Sequence, residues 1–150
     1  MSVQTAPSRA TLLDPKDKQR LEDVGFMTCM ALSLLGNYAQ TGHFGGPLAY
    51  TPYNVAIHLA GPSLGGLRWD IRRPKHPFSD KFMLAGGHCI PTCYALWMVM
   101  GQALARKFED TGNRRYYADP HVAMLPIDDG LTLARKKPAP SARDARIVAR

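Results

Sequence analysis

Apolar positions recur along this chain at spacings that separate its elements. Leu21, Val24, Met27, Met30 or Ala31, Leu34, Leu35 and Tyr38 follow one another at three- and four-residue steps, the repeat of one helical face. Asp14-Pro15 stands ahead of them; the carboxylate can accept from the first free amides, and proline's fixed φ suits a first helical position. The spacing predicts one long helix to about Ala39, with Gly42 placed to help end it. Thr51-Pro52 repeats the cap-then-proline device, predicting a short second helix over Tyr53 to Ala60 that Gly61-Pro62 stops. Phe82-Met83-Leu84 is a brief apolar run cut off at once by glycines, a pattern that suits a buried parallel strand. Pro91 then restarts the chain as a helix through Trp97 and Met100 to Arg106-Lys107, with the basic pair at the end the dipole favours. These elements predict an α/β, helix-rich body with a short parallel strand. It spans residues 14–127, between a flexible arm at 1–13 and a tail at 128–150.

The polar punctuation carries the chemistry. Thr41-Gly42-His43-Phe44-Gly45-Gly46-Pro47-Leu48 and Ala85-Gly86-Gly87-His88-Cys89-Ile90-Pro91 are two glycine-and-histidine turns, each opening into an apolar segment with a proline near its start. A histidine held between glycines can meet a ligand beside bare peptide N–H groups. The second turn, read as strand, glycine turn and helix start, gathers unpaired amides and a partial positive charge at one point. Gly86, Gly87 and His88 are therefore the expected anion site. Arg68 to Lys75 reads as a solvated connection that Trp69 and Ile71 pin to the body.

Charge changes the picture chiefly by where it is missing. From Val24 to Leu67 there is no Lys, Arg, Asp or Glu, a run of 44 residues. That is too long for one exposed face of a small domain. Its glycines, prolines and polar residues argue against a membrane span, so much of it is expected to be covered by the rest of a larger fold or by another subunit. The net charge of +7 is mostly a tail property: residues 131–150 hold six basic side chains against Asp144. A nucleic-acid role would rest on that low-complexity tail and Arg114-Arg115 alone. Three cysteines, Cys29, Cys89 and Cys93, in a chain whose start lacks the apolar run of a secretory leader indicate reduced thiols in a cytoplasmic setting.

The two turns, with the helix of Tyr94-Ala95-Leu96 after the second, resemble the amino-terminal part of transketolases over roughly Leu21 to Gly101. Members of that family read approximately Ser-Gly-His-Pro-Gly-x-Pro-Leu, then Asp-Arg-Phe-x-Leu-Ser-x-Gly-His-Ala; here Asp80-Lys81-Phe82-Met83-Leu84-Ala85-Gly86-Gly87-His88 fills the second place. The resemblance implies a thiamine diphosphate-binding fold and a transferase of carbohydrate metabolism, moving a two-carbon ketol unit between sugar phosphates with the cofactor as electron sink. It implies a catalytic place for His43 beside the reacting end of thiamine diphosphate and the sugar. His88, with Gly86 and Gly87, would lie at the diphosphate. Histidine can hydrogen-bond hydroxyls and move protons near neutral pH.

The chain departs from the family in three respects. Phe44 replaces the usual proline, and Ala85-Gly86-Gly87 replaces Ser-Asn-Gly or Ser-Lys-Gly. The Gly-Asp-Gly and downstream Asn that hold Mg2+ and diphosphate are absent, as Asp128-Asp129-Gly130 lacks both the leading glycine and the asparagine. The composition shift after Ile127 is the expectation of a truncated or frame-disrupted reading frame, with a natural split subunit as the rival.

Other residues read as structural. His58 falls in the short helix and His76 in the charged connection; Cys89 and Cys93 read as small apolar packing residues, and Met27, Met30, Met98, Met100 and Trp97 as core or interface filling. The alternative to a homo- or hetero-oligomeric ketol transferase is a non-catalytic interaction protein docking through the uncharged 24–67 surface.

Overall fold

A computed structural model describes residues 14–40, 43–119 and 122–123. Three α-helices dominate them: α1, Pro15–Ala39; α2, Gly45–Leu59; and α3, Ile90–Thr111. All three pairs are in contact, so they form a small bundle, and two-thirds of the described residues are helical. The 1–13 arm and the 128–150 tail lie outside the described residues, as do Gly42 and His121.

α1 begins as its sequence dictates. The Asp14 carboxylate accepts from the Lys16 N–H at 2.8 Å, with Pro15 in the first turn. It ends one residue past Ala39, on Gln40 in the left-handed region (φ 52°), whose N–H returns to the Gly36 carbonyl at 2.9 Å. α2 starts six residues before the expected cap at Thr51. Pro47 fits the first turn without loss, and Thr51 is an interior residue whose hydroxyl donates to the Pro47 carbonyl at 2.9 Å. Pro52 stays within the helix on its exposed side, where the Leu48 carbonyl it leaves without a donor can reach water. α3 runs one turn beyond Arg106-Lys107 because nothing interrupts it before Gly112 (φ 62°), whose N–H caps the Phe108 carbonyl at 2.8 Å.

The expected α/β class is overturned. The described residues contain no strand, and Phe82-Met83-Leu84 makes no ladder. Three residues cannot form a sheet without a partner strand, and none is present among the described residues. The segment does keep the alternation of an extended chain: Met83 is 90% exposed while Phe82 and Leu84 turn inward. They pack on a cluster of Ile71, Cys93 and Trp97 that also takes Trp69 and Ile90. A second cluster joins Leu32 and Leu35 of α1 to Ala95 and Met98 of α3, with Ala31, Phe44 and Tyr94 against it. The charged connection is closed by Asp80, whose carboxylate accepts from the Arg68 N–H at 2.7 Å while its own N–H donates to the Arg68 carbonyl at 3.0 Å.

The charge-free run proves two-sided. Thr28, Leu32, Leu35, Thr51, Asn54 and Val55 are buried between helices, yet Phe26, Met27, Met30 and Leu34 on α1 are about half to two-thirds exposed. No described helix is long and apolar enough to cross a membrane.

Candidate site at the two glycine turns

Both glycine turns lead directly into helix starts, and neither start is capped by a side chain. Phe44 precedes α2 and Cys89 precedes α3; the 3-10 turn Gly87–Cys89 that delivers the chain to α3 begins after Gly86, again without a side-chain acceptor. The first amides of a helix have no carbonyl one turn back to bond. Aligned peptide dipoles leave these ends partly positive.

The two starts meet. A Cβ placed on Gly46 would lie 3.0 Å from His88 Nε2 and 3.1 Å from the Cys89 sulfur. The imidazole and the thiol of the second turn thus rest against bare backbone in the first turn of α2, an approach only glycine allows. The ring folds back over its own turn as well: a Cβ on Gly86 would meet His88 Cε1 at 3.6 Å, whereas Gly87 faces open space. His43 is exposed and lies three residues before Gly46, so its Cα is within roughly 10 Å of the contact by the reach of an extended chain. His43, Gly86, Gly87 and His88 therefore belong to one end of the α2–α3 pair.

Two contacts beneath the turns hold that end together. Thr51 and Thr92 hydroxyls lie 2.9 Å apart, both residues fully buried. Since Thr51 Oγ1 donates to the Pro47 carbonyl, its oxygen accepts from Thr92. That bond ties α2 to α3 one turn below the glycines. Phe44, where the resembled family has proline, seats its ring on α1: a Cβ on Gly36 would fall 2.0 Å from Phe44 Cζ. The first turn is thereby anchored to a third helix by an aromatic contact.

Neighbouring groups are structural in their chemistry. Burial pushes the Cys93 thiol up to about 12, opposed by the Asn54 side chain that accepts from it at 3.8 Å; it stays protonated and is no nucleophile. His58, buried near the other end of α2, is held below its ordinary value by burial, against the Asn54 carbonyl beside Nδ1 at 2.9 Å. Its ring is surrounded by Trp69, Phe82 and Trp97, with centroids 5.1 to 6.4 Å away.

The residues missed from sequence are those that make the approach possible. Gly46 and Gly36 carry no signal beyond their identity, and Thr51 resembles a cap. The only hint of the threonine pair was a polar residue at an inward position of each helix.

What can this end hold? At the second turn the Cys89 and Ile90 amides already donate to the Gly86 and Gly87 carbonyls and Pro91 has none, so the open donors are the Gly87 and His88 amides with those of Gly45 and Gly46; beside an imidazole they suit an anion with several oxygens, such as a diphosphate. A divalent cation is a different matter: no group of three or more His, Cys, Asp or Glu is assembled among the described residues. No protein-family model, curated protein or solved structure matches the chain.

Proposed function

We propose that this chain is the diphosphate-gripping part of a thiamine diphosphate-dependent, transketolase-like ketol transferase, acting as a fragment or as one subunit of a split enzyme on sugar phosphates. One observation supports this reading above the rest: His88 lies against Gly46, so the two turns that carry the resemblance share one end of the bundle. The amides of Gly45, Gly46, Gly87 and His88 supply donors for the diphosphate oxygens, and the His88 ring adds another. His43, exposed at the rim, is free to reach a sugar hydroxyl and move a proton there. When bound, the cofactor supplies the electron sink for ketol transfer. Neither the Mg2+-holding Gly-Asp-Gly nor its downstream Asn is in this sequence, so the chain on its own binds without turning over sugar. A reducing, cytoplasmic compartment belongs to the same reading, with Cys29, Cys89 and Cys93 all free thiols.

Thermal unfolding with thiamine diphosphate and with inorganic pyrophosphate tests the reading. A ligand at one hundred times its dissociation constant stabilises the folded state by about 2.7 kcal/mol, which for a domain of this size raises Tm by roughly 10 °C or more. Both ligands should raise it, and His88→Ala should remove most of the rise. No response to millimolar thiamine diphosphate or pyrophosphate would refute it.

A further inference from the structure

An open groove in the connection between α2 and α3 belongs to neither glycine turn. Its volume is about 280 Å³, and Trp69, Phe78, Arg68, Arg73 and His76 line it. That is at the lower edge of the roughly 300–1,000 Å³ of small-ligand sites, room for a single ring system. Trp69 is seated from behind: its ring lies 5.2 Å from the buried His58 ring and 6.2 Å from that of Trp97, and it packs on the cluster of Ile71, Cys93 and Trp97. Phe78 is 76% exposed, with the His76 ring 5.8 Å away. A ring that the core holds in place and that also lines a groove is a stacking surface already ordered before anything binds.

Charge says what such a surface would meet. Residues 68–81 hold five Lys or Arg against two Asp, and both acids are taken. Asp70 accepts from Arg72 Nε at 2.9 Å and Nη2 at 2.6 Å; Asp80 accepts from the Arg68 N–H at 2.7 Å and lies 3.5 Å from the Arg68 guanidinium. Arg73, Lys75 and Lys81 are exposed and enter no ion pair among the described residues. Arg72 also donates to the Arg115 carbonyl, fastening the turn Arg114–Tyr116 and its two exposed arginines to this segment. The basic pair that stood alone in the sequence thus joins a second basic segment, and the groove lies in that segment.

A single small anion would use one or two of these cations. Spread over two joined segments, they match a row of phosphates, while the rings match the face of an unstacked base. A duplex keeps those faces covered, so the strand must be single. We infer that the groove at Trp69, Arg73 and Phe78, with Lys75, Arg114 and Arg115 beside it, binds single-stranded nucleic acid, a base stacking on the rings while the cations follow the backbone. This site is separate from the anion site at the glycine turns and does not depend on it.

Fluorescence anisotropy of the full chain with a labelled oligothymidylate of about ten nucleotides, within the roughly 4–16 of single-strand sites, is the test. An abasic strand of equal length carries the same phosphates and reads the pull of the basic tail by itself. Oligothymidylate should bind about fivefold tighter or more, the least that one stacked base contributes, and Phe78→Ala should erase most of that advantage; the side chain is exposed, so the fold does not depend on it. Arg73→Gln with Lys75→Gln should lower the slope of log affinity against log salt by about 1.4, two phosphate contacts at about 0.7 each. Equal binding of the two strands, or none at low salt, overturns the inference. So does an advantage that survives Phe78→Ala, a salt slope unchanged by the two glutamines, or a duplex that binds as tightly as the single strand. Polyglutamate binding as tightly as oligothymidylate overturns it too and assigns the cations to an acidic peptide.

Discussion

Gly36 and Gly25 lie on one helix and offer a matched experiment on how the first glycine turn is held. Alanine at Gly25 meets nothing within 4 Å, so Gly25→Ala should gain the helix-propensity difference, about 1 kcal/mol. At Gly36 the same methyl would fall 2.0 to 2.6 Å from three atoms of the Phe44 ring, and the ring must leave. Full burial of a phenylalanine is worth about 1.5–3 kcal/mol. Phe44 is half-buried against Leu32, Leu35, Ala95 and Met98, so expelling it costs roughly 1–2 kcal/mol on the same scale. The propensity gain offsets part of that, leaving Gly36→Ala between neutral and about 1 kcal/mol destabilised. The two variants should therefore differ by about 1–2 kcal/mol, or roughly 5–15 °C in Tm for a domain of this size. Differential scanning calorimetry of both, with Gly36→Ala/Phe44→Leu as the relief variant, reads the gap. If Gly36→Ala stabilises as much as Gly25→Ala, Phe44 does not sit on α1 and the anchoring of the first turn is wrong.

Three further outcomes follow from the same geometry. Thr92→Val removes one hydrogen bond and should cost about 1 kcal/mol in urea unfolding. Thr51→Val strands the Thr92 hydroxyl in a buried site and should cost about 1–3 kcal/mol; a smaller loss for Thr51→Val than for Thr92→Val would contradict the donor order. Because burial holds His58 below its ordinary value of 6.5 in the folded chain, the unfolded chain takes up its proton first as the solution is acidified. Stability is then full above pH about 6.5 and falls as pH drops below it. His58→Phe should flatten that slope between pH 7.5 and 5.5, and an unchanged slope would assign it to another group. Gly46→Ala puts a methyl 3.0 Å from an exposed imidazole that can swing aside and 3.1 Å from the half-buried Cys89 sulfur, which must shift by a few tenths of an ångström, so Tm should fall slightly while the stabilisation by pyrophosphate falls severalfold; an undiminished response would separate Gly46 from the anion site.

Local signals in the sequence were sufficient where one residue acts on its own neighbours. Asp14-Pro15 starts α1 and Pro91 lies in the first turn of α3, but of the stripe read on α1 only Leu35 is buried; the other core leucine, Leu32, lies off that stripe, and Met27, Met30 and Leu34 are exposed. The reading failed where distant contacts decide. Thr51-Pro52 has every local mark of a helix start, but Gly45-Gly46-Pro47 begins the helix earlier and Thr51 turns to face Thr92, 41 residues on. Phe82-Met83-Leu84 has the composition of a buried strand. Whether such a segment pairs or merely packs depends on a partner strand, which no window around residue 83 can reveal. The stripe of α1 shows the same limit: Met27 and Leu34 have the spacing of core residues, and only the placement of α2 and α3 shows which face is left open.

The loss of the strand changes what positions the anion site. In a strand–turn–helix unit the sheet fixes the turn, and the helix start follows from it. Here the glycine turn after Leu84 has no sheet behind it among the described residues, so its position must come from the helices. Cys89 and His88 press on Gly46, Thr92 bonds to Thr51, and Phe44 locks the neighbouring turn to Gly36 of α1. All three contacts cross between helices that each depend on the others for burial, since Ala95 and Met98 of α3 share one cluster with Leu32 and Leu35 of α1. Order at the two turns should therefore be lost together with the bundle core. Hydrogen exchange at the Cys89 and Ile90 amides, which donate to the Gly86 and Gly87 carbonyls, would track that of Leu96 when Leu32→Ala weakens the core, whereas a turn held by its own local geometry would keep its protection unchanged.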